Sequence, residues 1–325
     1  MCALIQGTLK LIRILSTNTK KVNYWRVKCY SREVNKAKGF LALLSAGLIL
    51  GSFSVFIRLL SRDLDVYQQV LLRNLIALVV SIVLIVVLRR FISFKKVPKI
   101  YLLLYIFSSS IVFFLYTVAV LKTSVSTAIF GLYFASLIFS LVAGIVIFSE
   151  KVTPRKIVAL VLVFLALLIY TWPISLQNLL QAGFLFGVGA GLAEGMANGF
   201  RKYLGDKVDR LVLVAMQGLG AFILGSVLTV SSGNFSIPSM SPMTLIVLLV
   251  FGMLLVAMSY LTLVGFSNFD LNLGTIVLSS ELLFAPLFAA IIFVEIPTLT
   301  QILGGVLILL AIIVLNLNLG KSKNS

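Results

Sequence analysis

Apolar runs of about twenty residues recur from Gly39 to Leu319, separated by short links rich in charge and turn residues. A helix needs roughly 20 mainly apolar residues to cross the hydrocarbon core of a bilayer. Ten such spans can be read, at 39–57, 67–88, 100–121, 125–148, 156–173, 182–200, 211–231, 243–264, 272–294 and 298–318. The runs are too long for membrane strands and lack the alternation of a barrel wall. The links "SRDLD", "KKVPK", "SEKVTP", "SSGNFSIPSMSP" and "SNFD" leave no room for a soluble domain between spans. Hydrophobic residues make up 60% of the chain and charged residues 11%, against about 45–50% and 25% in soluble domains. The expected fold is all-α integral membrane with ten transmembrane helices.

The formal charge of +17 would suggest nucleic acid in a soluble protein. Here the cations follow a topological rule instead. With the N-terminus in the cytoplasm, all but four of the 27 Lys and Arg fall in the tails or in the links after spans 2, 4 and 6. The exceptions are Arg58, Arg62, Arg73 and Lys122. Cytoplasmic links carry the excess of Lys and Arg, so a multi-pass protein of the cell membrane with both termini cytoplasmic is expected. Lipid is then its surrounding partner, and no nucleic-acid partner is expected.

Residues 1–38 form a basic N-terminal tail. Its "ALIQGTLKLIRIL" has helical apolar spacing broken by Lys10 and Arg13 and lacks the layout of a signal peptide. It reads equally as a surface-lying amphipathic helix or as a disordered basic tail. Cys2 and Cys29 both lie there, without the spacing of a zinc site. The chain has no His, and neither a metal nor a cofactor is expected. It carries no G-x-x-x-x-G-K, H-E-x-x-H or G-x-S-x-G motif, so no ATP-driven step and no known hydrolytic chemistry are expected of it.

The chain also repeats itself. "FSEKVTPRKIVALVLVFLA" at 148–166 and "FVEIPTLTQILGGVLILLA" at 293–311 share Phe, Glu, Thr, Ile, Val, Leu, Leu and Ala at an offset of 145. Apolar matches are cheap in a membrane protein, but a matched Glu and Thr at a helix junction are not. Thr153 suits an N-cap with Pro154 at the first helical position, and Thr298 an N-cap with Gln301 closing a capping box. "FIRLL" at 56–60 is echoed more weakly by "FRKYL" at 200–204. Residues 39–175 and 182–318 then form two five-helix copies, with 319–325 as a C-terminal tail. Five is odd, so the second copy enters the membrane from the opposite side. Inverted repeats are the architecture of many secondary transporters, whose sites lie near the midplane between the halves.

Gly51 in the first helix, "VLLRN" with Arg73 in the second, the two E-x-x-T junctions and the proline-bearing "SSELLFAPLFAAIIFVE" together resemble the EamA-type transporters of the drug/metabolite transporter superfamily. The resemblance covers residues 39–318. It implies ten helices in two inverted repeats and alternating access for small metabolites, amino acids or drugs.

Glu281 is the leading site candidate. It falls near the middle of the ninth span, where a charge costs at least about 2.5–3.5 kcal/mol. At the repeat offset the first copy has Ser136 there, and Leu141 where the second has Pro286. The carboxylate is therefore a substrate or proton site, or else a neutral group bonding a neighbouring helix. Pro286 frees a carbonyl about one turn earlier, so the two residues read as one candidate site. Glu194 and Asn198 lie beside a ridge of Gly183, Gly187, Gly191, Gly195 and Gly199 and so face protein, lining a cavity or bonding within the structure. Arg73, near the outer end of span 2, either snorkels to the surface or serves as a counter-charge. Tyr116, Tyr133, Gln217 and Ser280 are polar groups inside spans, each read singly as packing before ligand. Glu150 and Glu295 read as structural, with gating as the alternative, because carboxylates favour helix N-termini.

The expected function is non-ATP-driven transport of a small solute, with proton or solute gradients as the driving force. A membrane-embedded enzyme acting on a lipid or lipid-linked substrate, or a non-transporting membrane scaffold, is the alternative.

Overall fold

A computed structural model describes residues 35–90, 97–173, 181–233 and 240–316. The N-terminal tail with Cys2 and Cys29, and the C-terminal tail, lie outside the described residues. The helices are α1 (Lys36–Leu60), α2 (Val66–Val87), α3 (Lys99–Lys122), α4 (Val125–Val146), α5 (Pro154–Tyr170), α6 (Ala182–Leu204), α7 (Arg210–Ser231), α8 (Pro242–Asn268), α9 (Leu271–Leu278), α10 (Glu281–Phe293) and α11 (Leu299–Asn316). Among the described residues there is no strand. Among the described residues, seven segments are long and apolar enough to cross a membrane: α1 to α4, α7, α8 and the combined α9–α10. Of the other three expected spans, α5 has 17 residues, Leu299–Leu315 is a shorter apolar helix, and α6 gives six positions to glycine.

Local chemistry sets the helix ends. Asp65 and Gln68 form a reciprocal capping box at the start of α2, with bonds of 2.8 and 3.1 Å. Thr298 and Gln301 form the expected box before α11, at 3.0 and 3.3 Å. Thr153 holds the N-cap position of α5 with Pro154 at N1, but its hydroxyl makes no capping bond.

The outward faces are apolar. Along α2 they carry Val79, Ile82, Val83, Val86 and Val87, and along α11 Ile302, Leu303, Val306, Leu310 and Ile313. This i, i+3, i+4, i+7 spacing makes an apolar stripe suited to contact with lipid.

Packing repeats under exchange of the two halves. α4 packs on α6 as α9 and α10 pack on α1, and α3 packs on α6 as α8 packs on α1. α3 meets α7 as α8 meets α2, while α2 faces α7 and α5 faces α11. A two-fold relation between the two repeats produces this pattern. Close approach depends on the glycine ridge of α6, where a Cβ on Gly191 would fall 2.1 Å from the Leu132 carbonyl oxygen of α4.

Candidate functional site

The ninth span is not one helix. At Ser279 and Ser280 the backbone tightens into bonds three residues apart: Ser280 N to Val277 O at 3.1 Å, Leu282 N to Ser279 O at 3.0 Å and Leu283 N to Ser280 O at 2.9 Å. α9 ends there and α10 begins at Glu281. The break is separate from the carbonyl that Pro286 frees, that of Leu282 one turn earlier. Pro286 sits inside α10, while the break comes before Glu281, where two adjacent serines offer the chain alternative hydrogen bonds and Ser279 Oγ turns onto Ile276 O at 2.7 Å. α1 presses against the break: a Cβ on Gly47 would fall 2.2 Å from Ser280 Oγ.

Glu281 is 1% exposed and faces two phenols from the first half. Tyr116 of α3 donates to Oε1 at 2.9 Å, and Tyr133 of α4 lies 2.6 Å from Oε2. Tyr133 Oη also lies 3.0 Å from Leu278 O, a carbonyl at the break, because Leu282 N has turned to Ser279. One hydroxyl proton thus faces two acceptors. Ser280 Oγ and Ser136 Oγ, the latter one helical turn beyond Tyr133, are buried without a partner among the described residues.

Arg73 is 1% exposed, so it does not snorkel to the surface. It donates to Phe113 O at 2.9 Å and Thr117 Oγ1 at 2.7 Å, and lies over the Phe251 ring at 4.9 Å. Among the described residues its Nε has no partner and no carboxylate lies within ion-pair distance.

Glu194 and Asn198 bond elsewhere than Glu281. Both accept from Arg201 of the same helix, Glu194 at 2.6 Å. Arg201 and Lys202 were expected in the link after span 6; α6 instead continues to Leu204 and buries Arg201, because positions 194, 198 and 201 share one helix face. Nearby, Tyr105 donates to Gln217 Oε1 at 2.8 Å and Gln217 to Ser259 Oγ at 3.0 Å. The structure therefore holds two polar centres, one at Glu281 and one at Arg201. The sequence marks Tyr116 only as one of several polar groups inside spans, and Arg201 only as a cation of the link after span 6. The Glu194-Asn198-Arg201 spacing was the available signal for the second, and nothing in the linear pattern favoured Tyr116 over other intramembrane tyrosines.

A cavity of about 510 Å³ opens at one end of the bundle, with Arg58, Ser124, Ser126, Glu295 and Gln301 along it and Tyr170, Ala285 and Pro286 in its wall. Arg58 and Glu295 form a two-bond pair at 2.7 and 3.1 Å, and these bonds hold the Glu295 carboxyl below its usual range. At the opposite end Glu150 accepts from Leu271 N at 2.6 Å, Asn272 N at 3.3 Å and Lys202 Nζ at 2.9 Å. Its role there is a cap, as read from sequence, but for α9 rather than for its own neighbour α5. Among the described residues no cluster of metal-ligating side chains occurs.

A solved crystal structure, described only as that of a protein, superposes with a TM-score of 0.72 over 90% of this chain and 100% of the other, at 15% identity. At that identity the likeness speaks for the fold alone. No curated protein matches in sequence. A family model described as the EamA-like transporter family matches twice, over residues 37–172 and 181–317. The two matches take in every described helix apart from the first residue of α1, and this multi-pass membrane protein belongs to the EamA-like transporter family.

Proposed function

We propose that this protein is a secondary transporter of the cell membrane, moving a small metabolite, amino acid or drug-like solute by alternating access. The observation that carries the reading is the Glu281 carboxylate, buried at a break in the ninth span between phenols of the other half. Broken helices at the interface of repeats are where transporters of this architecture hold solute or coupling ion. The cavity reaches Ala285 and Pro286 on the same helix. With ten passes in two inverted halves and cytoplasmic termini, the cavity mouth at Arg58 and Glu295 faces outside and the Glu150 end faces the cytoplasm.

The hydrogen bonds around Glu281 suit a group that gains and loses a proton. With the carboxylate ionised, Tyr116 and Tyr133 both donate to it and Leu278 O goes without Tyr133. With it protonated, its O–H donates to Tyr133 Oη, and Tyr133 turns its own proton to Leu278 O. Either state is met with little movement, so the charge can change inside a shut protein. Among the described residues Ser280 Oγ, Ser136 Oγ and Asn198 Nδ2 are buried without a partner and so are available to solute or water, and Arg73, which meets no carboxylate there, is available to an anionic group.

The test is uptake into proteoliposomes under an imposed pH gradient. Glu281→Gln mimics the protonated form and is expected to carry solute, if at all, without response to the gradient. A variant that responds as the unaltered protein does would sink the proton role.

A further inference from the structure

The two ends of the bundle are built from equivalent parts in different states of assembly. Glu150 and Glu295 occupy equivalent places in the repeated segment. Each follows a residue in the left-handed region, Ser149 at φ 53° and Val294 at φ 57°, so the same turn presents both carboxylates. For the β-branched Val294 that conformation is an outlier, which points to a turn held by its surroundings. Each carboxylate meets the cation that the FIRLL/FRKYL echo places opposite it: Lys202 for Glu150 at 2.9 Å and Arg58 for Glu295 at 2.7 Å.

There the likeness stops. Glu150 is 5% exposed and reaches on to the first amides of α9, those of Leu271 and Asn272. Lys202 also donates to Phe269 O at 2.9 Å, and Lys156 to Asp270 at 2.9 Å, so this end is shut. Glu295 is 47% exposed and stops at Arg58. The helix start equivalent to that of α9 is that of α4, where Ser124 takes the N-cap place of Asp270, and Val125 and Ser126 those of Leu271 and Asn272. Ser124, Val125 and Ser126 stand across the open cavity from Glu295.

We propose that Glu150 and Glu295 are exchanging latches: Glu150 on the start of α9 holds the state described here, and Glu295 on the amides of Val125 and Ser126 holds the opposite one. This rests on the alternating-access reading above. A helix N-terminus carries unpaired N–H groups and the positive end of the dipole, so a carboxylate that leaves one such site is replaced by its counterpart at the other. Both caps cannot form together, because shutting one end opens the other. The element biased is bistable, and each latch favours one state. The latches are unequal: Gln301 and Ser124 stand where the shut end has Lys156 and Asp270, so the second latch lacks an ion pair. The state described here is therefore the better held.

The experiment uses the full chain with Cys2 and Cys29 replaced by Ser and one reporter, Asn272→Cys, labelled in detergent with a small water-soluble maleimide. Both latch contacts use backbone amides at the reporter positions, so the reporter leaves them in place. Losing a cap of this kind changes a two-state population about fivefold. Glu150→Gln should raise the labelling rate about fivefold and Glu295→Gln should lower it about fivefold. Ser126→Cys is the mirror reporter and should slow with Glu150→Gln, which separates any effect of the 272 substitution itself. If Glu295→Gln leaves the 272 rate unchanged or raises it in a protein that still transports, the latch is wrong and the transport reading stands. If 272 is unreactive in all three backgrounds and uptake is absent, both fall.

Discussion

Tyr133→Phe tests the centre of the site with the ring left in place. The change removes one hydroxyl that lies 2.6 Å from Glu281 Oε2 and 3.0 Å from Leu278 O. Phe fills the same space, so no cavity opens. The hydroxyl donates to one acceptor at a time, but with Glu281 protonated its removal strands both the Glu281 O–H and Leu278 O, each worth about 1–3 kcal/mol, or roughly 2–4 kcal/mol together after some local adjustment. Tyr116→Phe strands Oε1 alone and should cost about half as much, roughly 1–2 kcal/mol. The double variant leaves the carboxyl with neither phenol, so its loss should exceed the sum of the two by about 1 kcal/mol. The assay is the thermal midpoint of purified protein in one detergent, where each kcal/mol moves chains of 150–250 residues by about 2–4 °C and a chain of 325 residues by less. Equal losses in the two single variants, or strict additivity, would refute the idea that Tyr133 serves both the break and the carboxylate.

Two further outcomes follow from packing and charge. Gly191→Ala sets a methyl 2.1 Å from the Leu132 carbonyl and should cost about 1–3 kcal/mol by forcing α4 and α6 apart, whereas Gly199→Ala, whose nearest neighbour is 4.0 Å away, should melt as the parent does. Arg201→Leu strands Glu194 in a nearly closed site and should cost about 3–5 kcal/mol, most of it regained in Arg201→Leu with Glu194→Gln; a double variant as unstable as the single would show that Arg201 acts through packing rather than charge.

Much of this was legible from the linear pattern for definite reasons. Apolar runs of bilayer length can become little else, since every backbone polar group in lipid must bond internally. The Glu and Thr shared by 148–166 and 293–311 stood out because chance apolar matches do not conserve polar residues at a junction. Glu281 stood out by cost alone, and it is buried as that cost requires. Its partners were not legible. Tyr116 and Tyr133 stand 165 and 148 positions away, and their meeting depends on how α3 and α4 pack on the second half.

The Arg201 centre divides the same way. That Glu194 and Asn198 would face protein followed from the glycine ridge beside them. That they would bond Arg201, and not Glu281, depended on α6 continuing one turn past the apparent end of its apolar run. Hydropathy locates where a helix can rest in lipid, not where its hydrogen-bonded ladder stops. By itself, then, the sequence determined a helical membrane bundle built twice over, with a costly carboxylate in its ninth span. Tertiary structure alone decided which phenols answer that carboxylate, that the span breaks at Ser279 and Ser280, and that one end is shut while the other stands open. Each end carries a glutamate with a cation opposite it, so that shared pattern alone cannot choose between the ends. The choice is made by which helix start each carboxylate reaches, and that is a matter of position in space.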